Sequence, residues 1–196
     1  MRRLMLCLAL FIAVSTIPRA RADDNHNQSH RVRTHLSGFN EVHFIAGGGT
    51  PTALPALRGA ISTAASGKFV AEIDEQDHKI HYTLSYKNLE GTVTQAHIHF
   101  GQRHTPGGIV VWLCQTTRVT VPPAAASSPP CPEPDGTVEG IITPDQVLEV
   151  TGQGIAAGEF DELVRAIRAG VTYANVHSTL FTPGEIRGQL PGNDDD

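Results

Sequence analysis

The chain has 196 residues, of which 40 % are hydrophobic, 18 % charged and 6 % aromatic. Its 15 Lys and Arg against 20 Asp and Glu give a formal net charge of −5, and that acidic balance argues against nucleic acid or anionic lipid as a partner. Length and apolar content fit one folded domain with a single core.

Residues 1–22, "MRRLMLCLALFIAVSTIPRARA", combine a basic start, an apolar run from Leu4 to Val14 and an Ala20-Arg21-Ala22 cleavage signal. This pattern is expected of a secretory signal peptide, and the apolar run is too short for a membrane span. The expected location is therefore secreted or periplasmic. Cleavage would remove Arg2, Arg3, Arg19 and Arg21 and no acid, so 15 basic residues become 11 and the net charge falls to −9. Residues 23–33, opening on "DDNHNQSH", are expected to be flexible, residues 34–190 to form the folded domain, and residues 191–196, "PGNDDD", to form an acidic tail.

Along the domain the signal is mainly strands. "KIHYTLSYKN" alternates Ile80, Tyr82, Leu84 and Tyr86 with His81, Thr83 and Ser85, as a half-buried strand does. Similar reasoning predicts strands in "HLSGFN", "ALRGAIST", "KFVAEID", "VTQAHIHF", "GIVVWLC", "GTVEGIIT", "VTYANVHS" and "EIRGQL", each bounded by turn residues. In "GEFDELVRAIRAG" Phe160, Leu163, Val164 and Ile167 recur at helical spacing, with acids in the first turn, arginines in the last and Gly170 as a stop. A shorter helical turn is expected at "TPDQVLEV", capped by Thr143 with Pro144 following. The expected fold is an all-β Greek-key β-sandwich with one short crossover helix. "GGGTPTALPALRG" and "VPPAAASSPPCPEP" read as surface loops. With Cys7 in the leader, Cys114 and Cys131 remain as an even pair and are expected to form a disulfide, worth about 3 kcal/mol for a loop of that length.

Chemistry concentrates in the histidines. Alternation in "VTQAHIHF" puts Thr94, Ala96, Ile98 and Phe100 inward and Val93, Gln95, His97 and His99 on the opposite face. His97 and His99 then stand with Cα atoms about 6.5–7 Å apart, a span that two imidazoles can close around one ion. An ion needs a third ligand. His177, ending a strand at a turn, is the first candidate and His104 the next. Imidazoles suit copper, zinc or nickel, and since they bind metal only when neutral, uptake is expected to weaken below about pH 6. The competing reading is that these histidines are hydrogen-bonded residues that hold loops together. No Gly-x-Ser-x-Gly elbow accompanies Ser178, and no acidic pair points to glycoside cleavage. Glu185 and Arg187 share a strand face and carry opposite charge, an arrangement that allows an ion pair worth about 0–1 kcal/mol if solvated. Trp112 is expected in the core.

Three stretches together resemble the CHRD domain, named for chordin. "AHIHFGQRHTPGGIVVWL" is similar to its HIH-G segment and "LVRAIRAGVTYANVHSTLFTPGEIRGQL" to its closing segment. "HLSGFNEV" resembles its L-S-G-x-N-E-V start, with His43 where proline is usual; Ser178 likewise stands in place of threonine. The resemblance implies a secreted immunoglobulin-like or superoxide-dismutase-like sandwich and places a shared site around His97, His99, Asn175, His177, Glu185 and Arg187. Together with the absence of a catalytic constellation it leads to the expectation of a non-enzymatic binding or structural module, with a protein and an envelope glycan both open as partner. "HIHFG" is also similar to the strand by which copper-zinc superoxide dismutases hold copper, with His177 matching the late histidine. That second likeness implies a copper- or zinc-binding protein with dismutase-like redox activity, although the histidines of the dismutase zinc loop are missing after Gly101, where only His104 follows.

Overall fold

The structure is a computed structural model that describes residues 30–45 and 57–193. The leader, most of the N-terminal segment, most of the "GGGTPTALPALRG" loop and the last three acids lie outside the described residues.

Ten strands are present among the described residues: β1 His30–Ser37, β2 His43–Ile45, β3 Leu57–Gly59, β4 Ser66–Asp74, β5 Lys79–Lys87, β6 Val93–Phe100, β7 Gly108–Gln115, β8 Gly136–Ile142, β9 Thr172–Ser178 and β10 Ile186–Gln189. Eight form one antiparallel sheet in the order β7-β6-β9-β10-β1-β4-β5-β8, and β2 pairs β3 separately. The two edge strands β7 and β8 approach each other, so the expected sandwich is a nearly closed eight-stranded barrel.

Alternation accounts for the best-read strands. β4 and β5 point Phe69, Ala71 and Ile73 with Ile80, Tyr82, Leu84 and Tyr86 into one core while their other residues face outward. β1 starts at His30, inside the stretch expected to be flexible, because Val32 and Leu36 share that core and the ladder with β4 runs its whole length. "ALRGAIST" gives strand only at Leu57–Gly59, whose partner β2 carries no alternation signal of its own. "TPDQVLEV" makes a single 3₁₀ turn, Pro144–Gln146, with Thr143 and Gln146 as a reciprocal cap.

The helix α1, Phe160–Arg168, links β8 to β9 as the expected crossover. It buries Phe160, Leu163, Val164, Ala166 and Ile167 in the barrel core, and Gly170 ends it with φ at 66°.

Tyrosines close the seam between β7 and β8. Tyr82 reaches from β5 beneath β8 and donates its hydroxyl to the Leu113 carbonyl at 2.5 Å, and Tyr86 donates to Pro132 at 2.6 Å. The path exists because β8 carries Gly140 there; a Cβ would overlap the Tyr82 ring and hydroxyl. Cys114 and Cys131 are bonded, with Cα atoms 5.0 Å apart. The proline-rich loop they bracket is ordered around Gln115, whose backbone pairs with Pro129 and Cys131 and whose side-chain amide reaches the carbonyls of Ala125, Ala126 and Ser128.

Candidate metal centre

β6 is buried on both faces. Ala96 and Ile98 point into the barrel core, and His97 and His99 point outward, as alternation predicts, but the outward face is covered too. Val93 departs from the expected pattern: a register shift between Val93 and Gln95 turns it into the core instead of the histidine face. β9 adds Tyr173, Asn175 and His177, and β10 adds Arg187 and Gln189, to a layer of buried polar side chains. Trp112 of β7 is buried, as expected, but outside the barrel's apolar cluster; its ring stands edge-on to His97 with centroids 4.3 Å apart.

His97, His99 and His177 come together as expected. Their exposures are 0 %, 8 % and 5 %, and one ring nitrogen from each lies within 4.8 Å of the others. His104 does not join them: it sits exposed in a turn at a φ of 64°.

Hydrogen bonds assign the tautomers, since a carbonyl only accepts. His99 Nδ1–H donates to Gly107 at 2.9 Å, and His177 Nδ1–H donates to Thr182 at 2.7 Å, so each ring keeps its lone pair on Nε2. His177 Nε2 faces His97 Nδ1 at 3.1 Å. The Nε2 atoms of His97 and His99 are buried with no hydrogen-bond partner. Burial drives the His97 imidazole well below its usual range, reinforced by the neighbouring His177 and His99. Burial likewise pushes His99 down to about 3, against the pull of the Gly107 carbonyl and with help from His177 and Arg187. Both rings are therefore neutral at pH 7. Proton competition for His99 sets in far below the pH 6 expected from an ordinary imidazole.

Such a donor set fits a transition-metal ion: three neutral nitrogens with lone pairs, two of them without other employment. Two nitrogens on a tetrahedral ion with bonds of about 2.0–2.1 Å stand roughly 3.3 Å apart. The 3.1 Å contact is not such a pair, because His97 Nδ1 carries the hydrogen that His177 Nε2 accepts; ligation requires the three rings, whose nitrogens come within 4.8 Å of one another, to re-orient and draw in.

The remaining expected residues have other partners. Glu185 and Arg187 do not pair. Glu185 lies ahead of β10, fully buried, where Oε1 accepts from Thr63 Oγ1 at 2.9 Å and from the Glu90 amide at 2.7 Å. The Arg187 guanidinium stacks 3.4 Å from the Tyr173 ring centroid and donates to Thr105, Gln102 and Gln189. Asn175 Nδ2 donates to Glu41, a contact that the sequence reading missed although Glu41 falls in "HLSGFNEV". Burial raises the Glu41 carboxyl to about 8 despite Arg187, the Val42 amide and Asn175, so it is protonated at neutral pH.

The model of the CHRD domain family matches residues 32–190. Neither the curated proteins nor the solved structures contain a significant match. No helix among the described residues is long and apolar enough to cross a membrane. The family match takes in every strand from β2 to β10, all but the first two residues of β1, and all three clustered histidines; the chain belongs to the CHRD domain family.

Proposed function

We propose that this CHRD-domain protein is a secreted or periplasmic, non-enzymatic binding module that takes up one copper or zinc ion at His97, His99 and His177. The observation that carries the reading is the pair of buried, partnerless Nε2 atoms on His97 and His99 beside the lone pair of His177. A buried polar atom without a partner costs about 1–3 kcal/mol, and ligation removes that cost. Three imidazoles suit copper and zinc alike. The leader sequence and the Cys114–Cys131 bond support an oxidising compartment.

Turnover at the ion would need an open coordination position that solvent and substrate reach. Exposures of 0 %, 8 % and 5 % favour holding an ion over cycling substrates at it, and on that ground binding is preferred to dismutase-like redox chemistry. In the metal-free state the same histidines tie the loops at Gly107 and Thr182 to the sheet.

Metal analysis and titration calorimetry on residues 23–196 test the reading. One equivalent of copper or zinc should bind, and a His97→Ala/His99→Ala variant should bind none. Negligible uptake by both proteins would leave the histidines a purely structural role. Metal-dependent consumption of superoxide would overturn the non-enzymatic part.

A further inference from the structure

His99 is held by a loop that returns on itself. After β6 the chain runs through Gly101–Gly107 and comes back so closely that a Cβ at Gly107 would overlap the Phe100 carbonyl oxygen. The returning Gly107 carbonyl takes His99 Nδ1–H. Besides His99, two side chains bind the middle and the end of this loop from the sheet below. Arg187 spreads its fork between the carbonyls of Thr105, at 2.9 Å, and Gln102, at 3.0 Å. Tyr173 lies under that guanidinium, stacks parallel on the His99 ring at 4.7 Å, and accepts the Gly107 amide on its hydroxyl at 3.1 Å. Gln189 adds a bond to Gly101 at the loop's start and braces Arg187 at 3.2 Å.

The geometry points to Arg187 and Tyr173 as positioning residues for the histidine centre: they clamp the 101–107 loop so that Gly107 fixes the tautomer of His99 and leaves Nε2 facing the cluster. The inference rests on the metal reading for its purpose, although the clamp is testable without metal. Arg187 makes its hydrogen bonds to the loop carbonyls and Gln189 and none to Glu185, whose Oε1 accepts from Thr63 and the Glu90 amide. A planar five-donor fork is needed to span two carbonyls while lying flat on an aromatic ring; lysine offers neither the span nor the plane. Partners that orient a metal-binding imidazole typically contribute 10–100-fold to affinity.

The test is nitrogen-15 NMR of the imidazoles in metal-free protein, compared across wild type, Arg187→Lys, Tyr173→Phe and Arg103→Ala. Arg103 is exposed in the same loop and acts on Arg187 as a like charge, so its removal takes away none of the clamp's hydrogen bonds. Wild type and Arg103→Ala should show His99 with a single Nδ1–H tautomer. Arg187→Lys and Tyr173→Phe should show mixed tautomers and faster exchange of the Gly107 amide, with circular dichroism unchanged. Titrated with zinc or copper alone, the same two variants should bind about 10–100-fold more weakly. Tyr173→Phe keeps the stack and removes one hydroxyl, so it reports even if Arg187→Lys fails to fold. A single unchanged tautomer in Tyr173→Phe, or in folded Arg187→Lys, overturns the clamp. Mixed tautomers in a protein whose wild type binds no metal would sustain the clamp and refute only the metal reading.

Discussion

The eight-stranded sheet is two different materials. In the half formed by β1, β4, β5 and β8, the outward residues lie at the surface in cross-strand rows such as Arg33, Val70, Thr83 and Glu139. In the half formed by β7, β6, β9 and β10, the outward residues are as polar, yet His97, Tyr173, Asn175 and Arg187 are buried beneath returning loops and Glu41. Polarity therefore does not decide which face meets water; the covering segments do. Where they return, each side chain must find a partner, and one that does not becomes a candidate for a ligand.

This contrast sets the sizes of four expected effects. The largest belongs to Gly107→Ala, which prevents the covering loop from closing and should cost at least about 3 kcal/mol in urea denaturation. If the loss is small, the loop does not depend on its close approach to Phe100.

Next comes a pH dependence that only the covered half can generate. Glu41 has a folded pKa of about 8 against an ordinary 4.5, so between those values the native state holds the proton and the unfolded state does not. Stability should thus fall as pH rises through that window, by at most about 1.4 kcal/mol per unit. His99 is pushed from 6.5 down to about 3, so there the unfolded state holds the proton and stability falls as pH drops. The two slopes oppose each other where they overlap. His97, also held well below its usual range, adds to the acid-side fall, so metal-free protein should be most stable near pH 6.5, and Glu41→Gln should remove the fall above it. Urea midpoints from pH 4 to 9, with a chelator present, measure both. An alkaline side left unchanged in the variant would show that Glu41 is solvated.

Smaller is the effect at the boundary between the halves. Tyr82→Phe leaves the Leu113 carbonyl without its hydroxyl donor and should cost about 1–2 kcal/mol, read as a lower denaturation midpoint with the slope retained. The smallest belongs to the open half, where Thr83→Ala should stay within about 0.5 kcal/mol. A comparable loss at Thr83 would mean that something covers this face as well.

Sequence patterning served the two halves unequally. Period-two alternation placed β4 and β5 within a residue or two and set His97 and His99 side by side, because those facts depend on neighbours along the chain. His177 was legible as the end of a strand, and its arrival beside β6 follows from the β6–β9 ladder. What escaped was long-range. Asn175 meets Glu41 from 134 residues away, and Arg187 meets the loop carbonyls from 82 and 85. Charge complementarity within "PGEIRGQL" suggested a local pair, whereas each member found a partner across the fold. Local patterns also gave no warning that Trp112 would back onto His97 instead of filling the barrel.

The tyrosine seam bears on how the protein behaves among copies of itself. A barrel that stops short of full closure leaves a strand edge whose carbonyls could template the addition of another chain. Along β7 that invitation is withdrawn: Leu148 takes the Val110 carbonyl, Tyr82 takes Leu113, and the disulfide-bound loop occupies Gln115 on both its amide and its carbonyl. Along β7 the gap in the barrel is thus a sealed margin and not a sticky one.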